Sequence, residues 1–200
     1  MASDGNRKFT YGLIVIAAPS GAGKSTLCAH LFRNHPSRLA LSISSTSRAP
    51  RGSEKHGEEY FFLDSESFQQ KMAQGEFAEW ALVHGNYYGT SKKMLEDFWA
   101  QGKHVLLDID VQGAESLRKA YPDRCFTVFI APPSMEELER RLRGRGTETE
   151  EAIQRRLANA TEEMKHQPKF DLVLVNDDID RTFRELETAA TRFMERIEHG

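Results

Sequence analysis

The residues Ser20-Gly21-Ala22-Gly23-Lys24-Ser25-Thr26 carry the strongest chemical signal in the chain. Glycines let a backbone curl until several N–H groups converge on one anion. A helix that begins near Lys24 turns its positive end toward the same point. Lys24 would then reach the β- and γ-phosphates of a nucleoside triphosphate, and Ser25 would offer its hydroxyl to Mg²⁺. The pattern G-x-x-x-x-G-K-[ST] asks for Gly where this chain has Ala18, so the loop opening must tolerate a Cβ there. The competing explanation is an ordinary strand-to-helix turn with a surface lysine. An apolar strand before the loop and an amphipathic helix after it argue against that.

Asp108 follows the apolar run Val105-Leu106-Leu107. An acid at the end of such a strand can hold a water of the Mg²⁺ shell, or simply cap a turn. Further phosphate chemistry is offered by Ser44 through Gly52, where Arg48 and Arg51 stand three apart in a Ser/Pro-rich stretch. Guanidinium forks donate paired hydrogen bonds in a plane, which suits a phosphate dianion. Tyr60 and Tyr88 can add phenolic donors. Taken singly, the arginines also fit solvated surface charge and the tyrosines fit core packing. More arginines gather late in the chain: Arg140, Arg141, Arg143, Arg145, Arg155 and Arg156.

The elements that must position these groups alternate. Gly12 to Ala18 reads as a buried strand, and Leu27, Cys28, Leu31 and Phe32 fall at helical spacing after Lys24. Further apolar strands run through Val105 to Leu107, Cys125 to Ala131 and Leu172 to Val175, with helical stretches near 112–120, 134–143, 149–166 and 179–197. Strands without polar alternation, separated by helices, predict a parallel α/β sheet covered on both faces. The stretch from about Leu41 to Phe98 breaks this rhythm, with short β-like pieces at Tyr60-Phe61-Phe62 and Phe77-Ala78-Glu79-Trp80. It reads as an inserted subdomain.

Bulk properties bound the rest. The 200 residues suit one domain, and the net charge of -3 gives no global pull toward nucleic acid or anionic membrane. No apolar run reaches membrane-spanning length, and the polar Met1 to Thr10 stretch lacks a signal-peptide core. Cys28 and Cys125 form no C-x-x-C pair and are expected as reduced, buried thiols in a cytoplasmic protein. Without a secretory route, the sequon Asn159-Ala160-Thr161 is accidental.

In combination these residues resemble one family, the guanylate kinases. The resemblance is carried by Ala18 through Thr26, Ser44 through Arg51, Gly57-Glu58-Glu59-Tyr60 and Glu79-Trp80. It continues through Gly85-Asn86-Tyr87-Tyr88-Gly89-Thr90, Asp108-Ile109-Asp110-Val111-Gln112-Gly113 and Ala131-Pro132-Pro133-Ser134. It ends with Arg143 through Glu151 and Val175-Asn176-Asp177-Asp178. It implies a P-loop NTPase-type three-layer α/β fold with a central parallel sheet. The core would take about 1–41, 101–133 and 168–200, a small α+β GMP-binding subdomain about 42–100, and a helical lid about 134–167.

The implied activity is transfer of the γ-phosphate of ATP to GMP, or dGMP, with Mg²⁺ accompanying ATP. Ser20, Gly21, Ala22, Gly23, Lys24, Ser25, Thr26, Arg141, Asn176 and Asp177 would bind ATP. The GMP phosphate would rest on Arg48, Arg51, Tyr60 and Tyr88. Ser44, Glu79 and Thr90 would read the base, with Gly89, Asp108 and Asp110 in the same site. Lys24, Arg51, Arg145 and Arg156 would act on the transferring group, and Ser25 and Asp108, through water, on the metal. Guanine presents N1–H and its 2-amino group side by side, so one carboxylate can accept both; adenine cannot supply either. The hydroxyls of Ser44 and Thr90 can donate to guanine O6. Direct in-line attack by the GMP phosphate needs neither a phosphoenzyme nor a general base.

Two other functions compete. A catalytically inactive, peptide-binding relative would have a damaged phosphate loop and attached domains, unlike this chain. A kinase for AMP, dTMP or a sugar phosphate would not explain Glu79 together with Ser44 and Thr90. The sequence leaves monomer against homo-oligomer open.

Overall fold

The computed structural model describes residues 10–144 and 149–199. Its centre is a five-stranded sheet in the order β2-β7-β1-β8-β9, made of Leu39–Leu41 (β2), His104–Asp108 (β7), Leu13–Ala17 (β1), Cys125–Ala131 (β8) and Leu172–Val175 (β9). All four pairings are parallel. Every residue of β1 is buried, as a strand covered on both faces requires. Ile14 and Ile16 point into one cluster, with Leu27 and Leu31 of α1 (Lys24–Asn34) and Leu186 and Phe193 of α7 (Ile179–His199). Leu13 and Val15 point into the other, with Leu117 of α4 (Val111–Ala120) and Leu95 of α3 (Lys92–Ala100). The result is the three-layer P-loop arrangement.

Between β2 and β7 the chain builds a second sheet in the order β4-β3-β6-β5, from Phe61–Phe62 (β4), Ser45–Thr46 (β3), Asn86–Ser91 (β6) and Phe77–Val83 (β5). Its hydrophobic support comes from Phe68 of α2 (Ser65–Ala73), stacked on Phe77 and Tyr87. The Asp64 carboxylate caps α2 by accepting from the Ser67 N–H. Although α3 follows this sheet directly, Leu95, Phe98 and Trp99 bind it to the central sheet instead.

After β8, α5 (Met135–Arg143) and α6 (Glu150–Met164) form a hairpin around Leu138, Leu142, Leu157 and Ala160. Ser134 caps α5, and Thr149 caps α6 by accepting from the Ala152 N–H. Leu138 and Leu142 also lie 3.1 Å from the point where a Cβ on Gly21 would stand, so the hairpin rests on the phosphate loop.

Candidate functional site

The carboxyl ends of β1 and β7 deliver the loop and the acid to one place. Gly21 and Gly23 adopt φ of 99° and 97°, the left-handed region that L side chains rarely enter. Ala18 does not: His84 is the one non-glycine residue at positive φ among the described residues. Its Cβ therefore meets no backbone demand, and Ala18 packs against the first core cluster. The missing glycine is tolerated because the turn places its left-handed residues later.

Lys24 forms an ion pair with Asp108 and donates to the Ile109 carbonyl at 3.2 Å. Burial works against its ammonium, but Asp108 outweighs that and raises its pKa above the ordinary lysine value. The group is thus a permanent cation. Ser25 donates to the other Asp108 oxygen at 3.2 Å. A hydroxyl and a carboxylate side by side are hard oxygen donors, the set that suits Mg²⁺. Asn176, nearly fully buried, donates from Nδ2 to the Ala22 carbonyl at 2.7 Å. Arg141 donates to the Asn176 carbonyl at 2.9 Å and is held by Glu137. Asp177 is exposed and paired with Arg181. Arg156 of α6 donates to the Ser20 hydroxyl at 2.7 Å. Thr26 sits exposed on the first turn of α1.

The second half of the site stands on the inserted sheet. A bulge after Phe77 sets Glu79 opposite Thr90, and the Thr90 hydroxyl donates to Glu79 Oε1 at 2.6 Å. Glu79 is only 6% exposed. Burial, opposed by the Thr90 bond and assisted by Asp110, raises its carboxyl from 4.5 to about 7. Its Oε2 faces α4 where Gly113 leaves room: a Cβ there would stand 2.7 Å from that oxygen. Asp110 caps the same helix, accepting from the Gln112 and Gly113 N–H groups at 2.7 and 3.3 Å. Gly89 likewise sits tight, with Phe68 and Phe77 at 3.1 and 3.0 Å from its missing Cβ.

Arg48 is buried and forked onto Glu54, with both bonds at 3.0 Å, and its charge lies over the Tyr60 ring at 5.3 Å. Its Nε is buried and has no hydrogen-bond partner among the described residues. Burial first, then neighbouring Tyr88 and Asp108, raises the Tyr60 phenol, so it keeps its proton as a donor. Arg51 is exposed, and its backbone N–H is held by Glu54 at 2.7 Å.

Lys24, Asp108, Ile109 and Asp110 from the carboxyl end of the central sheet and the start of α1 face Ser44, Tyr60, Glu79, Val83 and Tyr88 from the insertion across one open cleft. The glycine-rich loop with its lysine and a buried carboxylate thus open onto one shared cleft. Arg145, expected at the transferring phosphates, lies outside the described residues. Sequence reasoning missed Glu54, which orients Arg48, and the role of Gly113 in making room for Glu79. Thr90, expected at the base, donates its hydroxyl to Glu79 here.

Residues 11–192 match the family described as guanylate kinase. A guanylate kinase from Idiomarina loihiensis is 49% identical over 188 residues, covering 94% of this chain and 89% of its own. One from Aromatoleum aromaticum is 52% identical over 167 residues, covering 84% and 81%. The crystal structure of guanylate kinase from Anaplasma phagocytophilum superposes with a TM-score of 0.74 at 34% identity, covering 93% of this chain and 87% of the other.

Proposed function

Since the chain belongs to the guanylate kinase family, we propose that its two half-sites hold ATP and GMP face to face across the cleft and that the arginines close around the moving phosphoryl group. The enzyme is an ATP:GMP phosphotransferase, converting ATP and GMP to ADP and GDP. The observation that carries the residue assignment is the single cleft lined by both Lys24 and Glu79.

ATP lies with its phosphates on the N–H groups of Ser20 to Thr26 and its base near Asn176 and Asp177. Asn176 braces the loop through the Ala22 carbonyl, and Arg141 braces Asn176. Mg²⁺, bound with ATP, would neutralise charge on the phosphates, with the Ser25 hydroxyl and, through water, Asp108 to hold it. Lys24 leaves its contact with Asp108 for the β- and γ-phosphates.

GMP enters the other side. Glu79, ionised, accepts guanine N1–H and the 2-amino group, while Thr90 fixes the carboxylate and Ser44 donates to O6. Arg48, Arg51, Tyr60 and Tyr88 grip the phosphate, with Arg48 already aimed by Glu54. The GMP phosphate oxygen attacks the γ-phosphorus in line; Lys24, Arg51, Arg145 and Arg156 stabilise the charge spread over the transferring group. Closure of α5 and α6 excludes water, the competing acceptor.

Cys28 and Cys125 are free and buried, which supports a cytoplasmic setting. Among the described residues no helix is long and apolar enough to cross a membrane. The test is an acceptor panel of GMP, AMP, dTMP and ribose bisphosphate with ATP and Mg²⁺. GDP formation from GMP alone is expected; equal use of AMP would overturn the assignment of the base site.

A further inference from the structure

Two residues outside the nucleotide contacts join the insertion to the lid. The β5–β6 hairpin pairs Val83 with Asn86, leaving His84 and Gly85 as a two-residue turn. Both have positive φ, 51° and 80°. Turns of this kind favour Asn-Gly, because Asn tolerates the left-handed region through local hydrogen bonds and Gly carries no Cβ. His84 is the sole non-glycine residue in that region among the described residues. Its own backbone needs are met locally, where Asn86 Nδ2 donates to the His84 carbonyl at 3.3 Å. Its side chain instead reaches across the cleft mouth, where Nε2 lies 3.4 Å from Nδ2 of Asn159 on α6. A carboxamide offers both a donor and an acceptor, so it can answer either imidazole tautomer.

Asn159 does not stand alone on that helix face. Arg156, three residues earlier, reaches Ser20 of the phosphate loop. Residues three and four apart share one face of a helix. One stripe of α6 therefore touches both the phosphate loop and the tip of the acceptor-side hairpin.

We propose that His84 and Asn159 form a latch between the acceptor subdomain and the lid helix, acting as positioning residues that hold Arg156 and the closed lid over the reacting phosphates. The proposal rests on the GMP-kinase assignment of the cleft, and GDP formation by the parent enzyme checks that assignment separately. His84 and Asn159 touch no nucleotide in this account; they set how much of the time the lid is closed.

The experiment compares His84→Asn, Asn159→Ala and the double variant with the parent. Each is assayed for kcat, both KM values, melting temperature and the ratio of ADP to GDP formed. His84→Asn converts the turn to Asn-Gly, so its melting temperature should hold or rise. Its kcat should nonetheless fall about three- to tenfold, the effect of one modest hydrogen bond. ADP should exceed GDP, because a lid that closes less often admits water to the γ-phosphate, while the KM for ATP stays within about twofold. Asn159→Ala should behave alike, and the double variant should be no worse than the poorer single, as residues acting through one contact require. Unchanged kcat in either single variant, ADP and GDP remaining equal, or effects that multiply in the double variant would each overturn the latch.

Discussion

Replacing Glu79 by Gln should stabilise the nucleotide-free protein most at high pH while removing its preference for GMP. Glu79 is 6% exposed, and burial is the first cause that raises its carboxyl from 4.5 to about 7. At about 1.36 kcal/mol per pH unit, that shift amounts to about 3 kcal/mol of destabilisation once the group is ionised. The sign follows from the raised value. The stability is fully present below the unfolded value of 4.5 and is lost as pH rises through about 7. Gln keeps the shape, can accept the Thr90 hydrogen bond and never ionises. Its amide N–H groups face Gly113 without an assured acceptor, which offsets about 1–3 kcal/mol at every pH. The pH-independent part shifts both ends of the comparison alike. The difference in melting temperature, variant minus parent, should therefore grow by about 5–10 °C between pH 5 and pH 8. Thermal unfolding followed by circular dichroism at four pH values would measure it. A GMP concentration that saturates the parent should raise the parent's melting temperature at pH 8 and raise the variant's far less. A difference that stays flat from pH 5 to pH 8 would refute the claim that a buried, ionising carboxylate sits at the base site.

Three further expectations follow from the same geometry. Arg51→Met should lower kcat by at least about a hundredfold with an unchanged unfolding curve, since the exposed side chain acts on transferring charge rather than on the fold; coupled kinetics and a melt check both halves. Gly113→Ala places a Cβ 2.7 Å from Glu79 Oε2 and should raise the KM for GMP about tenfold while leaving that for ATP within about twofold. His104 is fully buried, with Nδ1 accepting from the Gly12 N–H at 3.0 Å and Nε2 beside Glu198, and burial lowers its pKa below 6.5. Its contribution to stability is present above 6.5 and is lost as pH falls through the depressed value. His104→Gln should thus flatten the acid limb of a urea-stability profile between pH 5 and 7, and an equally steep limb would remove His104 as its source.

The central sheet was legible because its strands are uninterrupted apolar runs, and Leu13 to Ala17 shows why: both faces are covered. The phosphate loop was legible because its glycines are required by backbone geometry, and the structure puts Gly21 and Gly23 where that geometry demands them. The ends of elements differ by a residue or so, as with Gly12, which lies just outside β1. The inserted sheet was harder to read. Its strands β3 and β4 have two residues each, too few for any period to register. Helix α2 buries Phe68 alone, so its apolar stripe is a single point. The three-residue β2 was missed for the same reason. Long-range partners were the least visible. Nothing local in Glu54 announces that it orients Arg48, and nothing in Gly113 announces the carboxylate of Glu79, which approaches from another element. His84 likewise drew no notice in the sequence, because its left-handed φ and its contact with Asn159 appear only once the hairpin and α6 are brought together.

The most direct test is the ratio of kcat/KM for GMP to that for AMP, measured at pH 8 with ATP and Mg²⁺ on the parent and on Glu79→Gln. A site that pairs a desolvated carboxylate with two guanine donors should favour GMP by about 10⁴-fold in the parent. The variant should lose at least about a hundredfold of that preference, because its carboxamide offers a single acceptor oxygen. An identical ratio in the two proteins would contradict the account, since it would mean that the base is read by something other than Glu79.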